Sequence, residues 1–355
     1  MVLSFTINIF GVIGFYLITY CVLKASSILS SKGIKGSLMK FKKRLTIVVL
    51  IVAAMSSSAM AKNKKVTLML DWFVNPNHAP IVIAQLRGYF KAQGLDVDIQ
   101  QPADPSIPAK LVAEGKVDLA VSYQPSLIMD VAAGLPLIRT ATLIATPLNA
   151  LMVLDNNHIK GLTDLKGKKI GISVVGSEQA TLGAMLMSHN VQLTDVEIVN
   201  VGMNLASSLA SHEVDAIWGG FRNFEATHLA LEGIQTKSFF PEEHGVPVYD
   251  ELILIANAKS YDKDVIIAFN SALEQATNYI VNHQDESWKE FVTYSRDTLN
   301  NELNKRAWND TLTRFALRPA ASDMQRYNHY AQFMVAHNII DSVPDLQGYM
   351  PILLH

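Results

Sequence analysis

The chain has 355 residues, with 30 Lys and Arg residues, 32 Asp and Glu residues and a formal net charge of −2. The first 61 positions hold seven of the basic residues and no acidic one, so positions 62–355 hold 23 basic and 32 acidic residues, a net charge of −9. This acidity argues against nucleic acid as a partner, and because Cys21, the single cysteine, falls in the same N-terminal segment, the remainder has no disulfide and no cysteine metal site.

The N-terminal residues predict a protein that is exported. Met39–Arg44 is a basic start, Leu45–Met55 is an apolar run of eleven residues, and the segment ends in Ala-Met-Ala at Ala61. A basic start, an apolar run and a small-residue cleavage site together are typical of a secretory signal peptide. We therefore expect a signal peptide over residues 39–61, cleavage after Ala61 and a periplasmic mature protein.

Residues 1–38 precede this signal peptide and have two interpretations. A misassigned start codon is the favoured one, because the signal peptide begins at an internal methionine. The alternative is a signal-anchor that stays attached, because Phe5–Leu23 is an apolar run with few charges that is similar to a membrane span when it is taken alone.

Strand-like and helix-like segments alternate from residue 66 onwards, which is typical of an α/β fold with parallel strands. Apolar runs predict strands at Val66–Leu70, Val97–Gln100, Val117–Val121, Ile138–Ala145, Ala150–Leu154, a stretch ending at Ser173, Val196–Val201, Val214–Trp218 and Glu251–Ala256. Apolar spacings of three and four predict helices at Pro80–Gln93, Pro105–Glu114, Ser126–Ala133, Gln179–Ser188, Leu205–Ser211, Asn223–Glu232, Val265–Asn282, Glu286–Tyr294, Asn304–Phe315 and Ser322–His337.

The order of these segments predicts two lobes joined by two chain crossings. Residues 62–157 and 251–355 form lobe 1 and residues 158–250 form lobe 2, because the apolar strand Glu251–Ala256 would carry the chain back to the first unit. Two α/β lobes with two crossings make a hinged clamp that closes on a ligand in its cleft. Many α/β enzymes share this outline, so the outline alone does not separate a binding protein from an enzyme.

Polar and aromatic side chains follow the predicted strands, at the edge where open α/β sheets bind their ligands. The candidates for ligand contact are Trp72, Asn75, Asn77, His78, Tyr123, Gln124, Ser177, Glu178, Trp218, Asn223, Glu225 and Tyr249. Trp72 offers a flat face on which a heteroaromatic ring can stack. Glu225 is the candidate specificity carboxylate, because a carboxylate that shares one proton pairs with an amino group and the neighbouring ring nitrogen of a heterocycle.

Each candidate also has a purely structural alternative. The alternatives are core packing for Trp72 and Tyr123, helix capping for Ser177, hinge packing for Tyr249 and solvent exposure for Glu225. The asparagines and His78 could instead support a tight turn. The helix that opens at Ser177 could equally bind an anion or a carbonyl oxygen through its free backbone N–H groups.

The sequence contains none of the common short catalytic or metal-binding motifs. Gly-x-Ser-x-Gly, a Walker loop, Gly-x-Gly-x-x-Gly after a strand and His-Glu-x-x-His are all absent,. His78 has no second histidine or carboxylate nearby at the spacing of a zinc site. We therefore predict a binding protein with no catalytic residue, cofactor or metal.

Two sets of motifs carry a resemblance to known families over residues 66–310. The general set, which resembles nitrate, sulfonate and taurine binding proteins, comprises Gln85–Leu95, Gly115–Ala120 and Leu165–Gly171. The narrower set resembles the periplasmic proteins that capture thiamin pyrimidine precursors and their relative, the fungal synthase of that pyrimidine; it comprises Leu70–Pro80, Gly202–Asn204, Gly245–Tyr249, Ala276–Ile280 and Trp288–Phe291.

The resemblance implies a type II periplasmic binding protein, a monomer that delivers its ligand to an ABC permease. The implied ligand is a thiamin pyrimidine precursor of the formylaminopyrimidine or hydroxymethylpyrimidine type. Another small solute, such as riboflavin, taurine or another sulfonate, is the alternative. A regulatory sensor domain is a weaker alternative, raised only by the N-terminal extension.

The fungal synthase is known for a cysteine-rich cluster, a lysine that holds pyridoxal phosphate and a histidine that is consumed in the reaction. The stretch that matches the cluster, Gly245–Leu254, has no cysteine. The loop that matches the lysine and the histidine, Val121–Ser126, has Ser122 and Ser126 instead. The resemblance therefore predicts that the synthase chemistry is absent, and an enzyme of pyrimidine synthesis is the less favoured alternative.

Overall fold

The computed structural model describes residues 63–155 and 158–353. The predicted signal peptide, its cleavage site and residues 1–38 lie outside the described residues. Within the described ranges, every helix is too short or too polar to span a membrane.

Two five-stranded sheets, one in each lobe, organise the described part of the chain. The strands are β1 Lys64–Met69, β2 Leu95–Gln100, β3 Leu119–Ser122, β4 Leu137–Ile144, β5 Asn149–Leu154, β6 Lys169–Ile172, β7 Glu197–Asn200, β8 Ala216–Phe221, β9 Thr236–Phe239 and β10 Leu252–Asn257. The helices are α1 Ala79–Leu86, α2 Tyr89–Ala92, α3 Pro108–Ala113, α4 Gln124–Ala132, α5 Ser177–Met187, α6 Leu205–Ala210, α7 Glu225–Leu231, α8 Lys263–Asn282, α9 Gln284–Phe291, α10 Arg296–Leu299, α11 Glu302–Thr311, α12 Met324–Ala336 and α13 Leu346–Tyr349.

The first sheet has the strand order β2-β1-β3-β10-β4. β1 pairs in parallel with β2 and β3, whereas β10 runs antiparallel to β3 and β4. Helices α1, α8 and α9 cover this sheet, and their side chains Ile81, Phe269 and Phe291 share one buried core with Leu68 of β1. The apolar stripes that predicted these helices are therefore the faces that they bury.

The second sheet has the strand order β7-β6-β8-β5-β9. β5 runs antiparallel to β8 and β9, so the assignment of Ala150–Leu154 to lobe 1 is wrong, and the chain crosses to the second lobe at residues 145–148. Leu151 and Val153 of β5 pack with Trp218 of β8 in one core. The expectation of parallel strands is also wrong for one strand in each sheet, because the alternation of strands and helices does not show which sheet an antiparallel strand joins.

A few elements differ from the sequence prediction for local reasons. The predicted helix Pro80–Gln93 is two helices, α1 and α2, because Gly88 between them has a φ of 71°, a left-handed conformation that interrupts a helix. The sequence did not predict β9, α10 or α13, because each is a run of four residues in which polar residues interrupt the apolar pattern,.

Helix α12 contacts both segments that join the two lobes. The ring of Tyr330 meets Tyr249 edge to face, with centroids 5.4 Å apart. The guanidinium of Arg326 donates to the carbonyl of Ala145 at 2.9 Å and pairs with Asp250. The C-terminal helical region therefore supports the segment between the lobes as well as the first lobe.

Candidate functional site

A cavity lies between the two lobes at the C-terminal ends of β1, β3, β6 and β8. The space inside this cavity, together with the open solvent at its mouth, is about 740 Å³. The strand ends thus meet where the sequence pattern predicted a ligand site.

Most of the sequence candidates line this cavity. They are Trp72, Asn75, Asn77, His78, Tyr123, Ser177, Glu178, Trp218, Glu225 and Tyr249. The structure places the other two candidates, Gln124 and Asn223, outside the cavity wall. The side-chain carbonyl of Gln124 accepts from the backbone N–H of Asp250 at 2.8 Å, and Asn223 donates to Asn77 and Thr311, so both are engaged in contacts within the protein.

Asp71, His78 and Tyr123 form a hydrogen-bonded cluster on the first-lobe wall. The Asp71 carboxylate accepts from the Tyr123 hydroxyl at 2.9 Å and lies 2.8 Å from Nε2 of His78. The backbone N–H of Asn75 donates to Nδ1 of His78 at 3.2 Å, so the ring proton is assigned to Nε2, which faces Asp71. Both ring nitrogens are used within the protein, and His78 therefore supports the wall instead of bonding to a ligand.

Asn75 and Asn77 shape the turn Pro76–His78 that carries this cluster. Oδ1 of Asn75 accepts from the backbone N–H of Asn77 at 2.9 Å, and its amide donates to the carbonyl of Phe73 at 3.1 Å. This is the turn chemistry that asparagine commonly supplies. The structural alternative therefore describes the Asn75 side chain, although the residue itself lines the cavity.

Glu178 brings a carboxyl group to the second-lobe wall at the start of α5. Its Oε2 accepts from the backbone N–H groups of Ser173 and Val174, both at 2.9 Å. Burial raises the pKa of Glu178 to about 8, against the opposing effect of these N–H groups,. Gly219 has a φ of +102°, and a Cβ atom there would collide with the Glu178 carboxyl, so the glycine allows this close approach. The cap of α5 is Gly176, without a side-chain hydrogen bond, so Ser177 is not the capping residue.

Glu225 and Glu251 are buried carboxyl groups on two further walls. Oε2 of Glu225 accepts from the backbone N–H of Phe221 at 2.7 Å, and Oε2 of Glu251 accepts from those of Leu148 and Asn149 at 2.6 and 2.9 Å. Burial raises the pKa of each carboxyl to about 7. The backbone N–H of Phe221 thus engages Oε2 of Glu225, a residue that lines the cavity.

Aromatic rings form much of the remaining wall. Trp72 of the first lobe and Trp218 of the second both line the cavity, with 9% and 0% of their surface exposed. Neither indole N–H has a hydrogen-bond partner among the described residues, although buried indoles usually find one. Phe224 also lines the cavity, and its ring meets Phe73 with centroids 5.7 Å apart. Such walls suit a flat heterocycle with acceptor atoms.

The cavity wall is acidic. Asp71, Glu178, Glu225 and Glu251 line it, and no Lys or Arg is among the lining residues that the structure describes. Burial raises the pKa of three of these carboxyl groups to about 7 or 8, so they are partly protonated at neutral pH. An anion would oppose their ionisation and find no basic partner, whereas a ligand with N–H donors or a positive charge would be stabilised. Across residues 63–155 and 158–353, no group of three or more His, Cys, Asp or Glu side chains is placed to hold a metal.

Sequence reasoning missed five polar residues of the wall, Ser126, Asn149, Ser173, Thr181 and Glu251. Ser173 ends a predicted strand, so the rule that selected Trp72 could have included it. Glu251 begins a predicted strand, and it reaches the cavity because β10 runs antiparallel to β3. Asn149 begins β5 and accepts from the backbone N–H of Gly219 at 2.9 Å. It was missed because β5 was placed in the wrong lobe.

The raised pKa of Glu251 predicts a loss of stability as the pH rises. The folded state retains the proton up to a pH of about 7, whereas the unfolded carboxyl ionises near its ordinary value, so unfolding is favoured increasingly between about pH 4.5 and 7. In Glu251→Gln the amide oxygen can still accept both N–H groups, but the side chain no longer ionises. Between pH 5.5 and 8.5 we therefore expect the free energy of unfolding to fall by about 2 kcal/mol more in the unchanged protein than in this variant. Urea unfolding at both pH values measures this difference. Glu232→Gln, at an exposed position, should behave as the unchanged protein does, and equal pH dependence in all three would contradict the assignment.

The contacts of Asn223 predict a role in closing the cleft. Its amide donates at 2.7 Å to both Oδ1 of Asn77 and Oγ1 of Thr311, which belong to the first lobe. We expect Asn223→Ala to raise the ligand dissociation rate about 3- to 15-fold, because the closed form loses the equivalent of roughly one hydrogen bond. The factor should be similar for every ligand. Stopped-flow fluorescence measures the rate. Thr227→Ala is the control, because its hydroxyl bonds only to the backbone carbonyl of Asn223; an unchanged dissociation rate in Asn223→Ala would refute this role.

Comparison with known proteins places these features in a family. The sequence model of the family described as NMT1/THI5 like matches residues 75–287. A putative thiamine biosynthesis protein from Haemophilus influenzae is 49% identical over 286 residues, 81% of this chain and 91% of the relative. A formylaminopyrimidine-binding protein from Halalkalibacterium halodurans is 32% identical over 254 residues, 70% and 77% of the two chains. A 4-amino-5-hydroxymethyl-2-methylpyrimidine phosphate synthase from Saccharomyces cerevisiae is 28% identical over 256 residues, 68% and 74% of the two chains.

Solved structures match the fold at lower sequence identity. A Candida albicans protein described as having the generic periplasmic binding protein fold superposes with a TM-score of 0.65 at 18% identity, over 82% of this chain and 96% of that one. The alkanesulfonate-binding protein from Xanthomonas axonopodis pv. citri, bound to MOPS, superposes with a TM-score of 0.63 at 16% identity, over 83% and 99% of the two chains. The predicted two-lobe periplasmic binding protein fold is thereby confirmed.

Proposed function

Because this chain belongs to the NMT1/THI5-like family, we propose that it is the solute-binding protein of an ABC importer and captures an unphosphorylated 4-aminopyrimidine precursor of thiamin. The observation that carries the proposal is the cavity wall. It combines Trp72 and Trp218 with four carboxyl groups, and no Lys or Arg is among its described residues. The names of the relatives from H. influenzae and H. halodurans point to the same ligand class.

The wall suggests how such a ring would be held. Trp72 stacks on one face of the pyrimidine, and an aromatic side chain of the second lobe, Trp218 or Phe224, contacts the other, each stack adding about 0.5–1.5 kcal/mol beyond area burial. Oε1 of Glu225 accepts from the 4-amino group when the carboxyl is ionised, or donates its proton to the neighbouring ring nitrogen when the carboxyl is protonated. A pKa of about 7 for Glu225 supports this arrangement, because both protonation states are then populated near neutral pH.

Anionic ligands fit this wall poorly. A sulfonate or a phosphorylated pyrimidine would lie among four carboxyl groups without a Lys or Arg partner. Pyridoxal phosphate, which the likeness to the fungal synthase raises, fits poorly for the same reason, and no lysine is among the lining residues that the structure describes. These observations favour a binding protein over an enzyme.

The remaining parts of the proposal concern location and partner. The signal-peptide pattern at residues 39–61 and the periplasmic binding protein fold of the structural neighbours support export to the periplasm with cleavage after Ala61. The mature protein would act as a monomer that presents both lobes of its closed form to a membrane permease. A clamp that closes on its ligand gives the permease a way to distinguish the loaded from the empty protein.

Thermal shift of the purified protein tests the ligand class. The panel contains 4-amino-5-hydroxymethyl-2-methylpyrimidine, its 5-formamidomethyl analogue, riboflavin, taurine and pyridoxal phosphate. Binding to the native state alone raises the Tm with ln(1+[L]/Kd), and we expect a shift with the aminopyrimidines only. A shift with riboflavin or taurine alone would replace the ligand class, and a shift with pyridoxal phosphate alone would favour the enzyme.

A further inference from the structure

The amino edge of a bound pyrimidine would leave two carboxyl groups of the cavity without a contact to the ligand. That edge engages one carboxyl, which we assign to Glu225. Both carboxylate oxygens of Asp71 are already engaged within the protein, Oδ1 by His78 and Oδ2 by Tyr123. The backbone N–H groups that bind Glu178 and Glu251 engage only Oε2 of each. Glu178 and Glu251 remain on the wall, and the ring edge offers neither of them a counter-charge.

Glu178 and Glu251 line the same cavity from different segments of the chain. Glu178 lies in the first turn of α5, and Glu251 directly precedes β10. The negative charge of Glu251 is one of the causes that raise the pKa of Glu178, so the two carboxyl groups are within electrostatic reach of each other. Arg222 also acts on Glu251, but it is paired with Glu242 and does not line the cavity.

The rings beside this pair suit a cation. Tyr123 and Tyr249 line the cavity; the charges of Glu178 and Glu251 both act on Tyr123, and the Tyr249 hydroxyl bonds to Glu251. An ammonium group near aromatic faces gains a cation–π attraction. It also carries three donors and no acceptor, which matches a site made of carboxyl oxygens.

We propose that the ligand is a 4-aminopyrimidine with a primary ammonium group on its 5-methylene carbon, held between Glu178 and Glu251 while Glu225 binds the amino edge of the ring. This inference rests on the proposed function and narrows it. The cationic 5-aminomethyl pyrimidine binds more tightly than the neutral 5-hydroxymethyl and 5-formamidomethyl pyrimidines, because only the cation offsets the cost of ionising two carboxyl groups in an enclosed site.

Isothermal titration calorimetry with these three pyrimidines, which share one ring, tests the inference. We expect the full chain to bind the 5-aminomethyl compound about 10- to 100-fold more tightly than the 5-hydroxymethyl compound, the size of a charge-assisted hydrogen bond. Glu178→Gln and Glu251→Gln should each bring this ratio of affinities towards one, because each variant should weaken binding of the 5-aminomethyl compound alone. Glu225→Gln should weaken all three compounds, and Glu232→Gln should change none.

The outcomes separate the two proposals. Equal or weaker binding of the amine by the unchanged protein overturns the ammonium site and leaves the proposed function standing. Binding of none of the three overturns the proposed function, and the ammonium site with it. Retained affinity for the 5-hydroxymethyl compound shows that a variant is folded; if both Gln variants retain it and also keep the full preference for the amine, Glu178 and Glu251 do not form the site.

Discussion

Replacing Glu225 with glutamine is expected to weaken binding of 4-amino-5-hydroxymethyl-2-methylpyrimidine about 10- to 100-fold, the loss of a hydrogen bond to a charged group plus a new mismatch. The backbone N–H of Phe221 donates to Oε2 of Glu225 at 2.7 Å. In the variant this N–H fixes the amide oxygen at that position, so the amide NH₂ takes the place of Oε1. A donor would then face the amino donor of the pyrimidine. Titration calorimetry on both proteins measures the change.

The matched control for this experiment lies on the same helix. Glu232 follows the last residue of α7 and is exposed, so Glu232→Gln makes the same chemical change away from the cavity and should leave the Kd unchanged. The melting temperature of Glu225→Gln should not fall, because the amide removes a carboxyl that burial makes costly to ionise,. Unaltered affinity in Glu225→Gln would mean that another carboxyl reads the amino edge.

Replacing Asp71 with alanine is expected to lower the free energy of unfolding by about 2–5 kcal/mol, because two donors lose their acceptor in a buried place. Nε2–H of His78 and the hydroxyl of Tyr123 both point at the Asp71 carboxylate. His78 is 0% exposed, so no solvent would replace the lost partner. Urea unfolding of the variant measures the loss.

Two further variants show whether the cluster causes this loss. Asp71→Asn keeps one oxygen for His78 and should cost less than half as much as Asp71→Ala. Asp98→Ala removes an exposed carboxylate that contacts only the amide of Gln100 and should stay within about 0.5 kcal/mol of the unchanged protein. If Asp71→Ala is no more destabilised than Asp98→Ala, the cluster does not stabilise the wall.

The fold by itself does not determine the charge of the ligand. The alkanesulfonate-binding neighbour has the same two-lobe architecture at 16% identity, so the architecture carries no information about the sign of the ligand's charge. We propose that, in this chain, the four carboxyl groups that different segments bring to one cavity disfavour anionic ligands. Function within this fold is therefore set by a few side chains at the strand ends.

The sequence alone predicted the parts of the site that depend on local patterns. Apolar runs located β1, β3 and β8, and the residues after them, Trp72, Tyr123 and Glu225, line the cavity as the strand-end rule expects,. The family was also recognisable from local motifs, and the match over residues 75–287 confirms it. Strand periodicity and short motifs are encoded by neighbouring residues, so no tertiary information is needed to read them.

Only the tertiary structure decided which sheet β5 joins and which polar atoms remain available to a ligand. His78 and Asn75 look like ligand donors in sequence, yet Asp71 and neighbouring backbone groups already engage them. Asn223 bonds across to the first lobe, and Glu251 reaches the wall because its crossing segment passes the cavity. The physical reason is that these hydrogen bonds depend on which segments, far apart in the sequence, come into contact in the folded chain. Such long-range contacts produce no periodic pattern in the sequence.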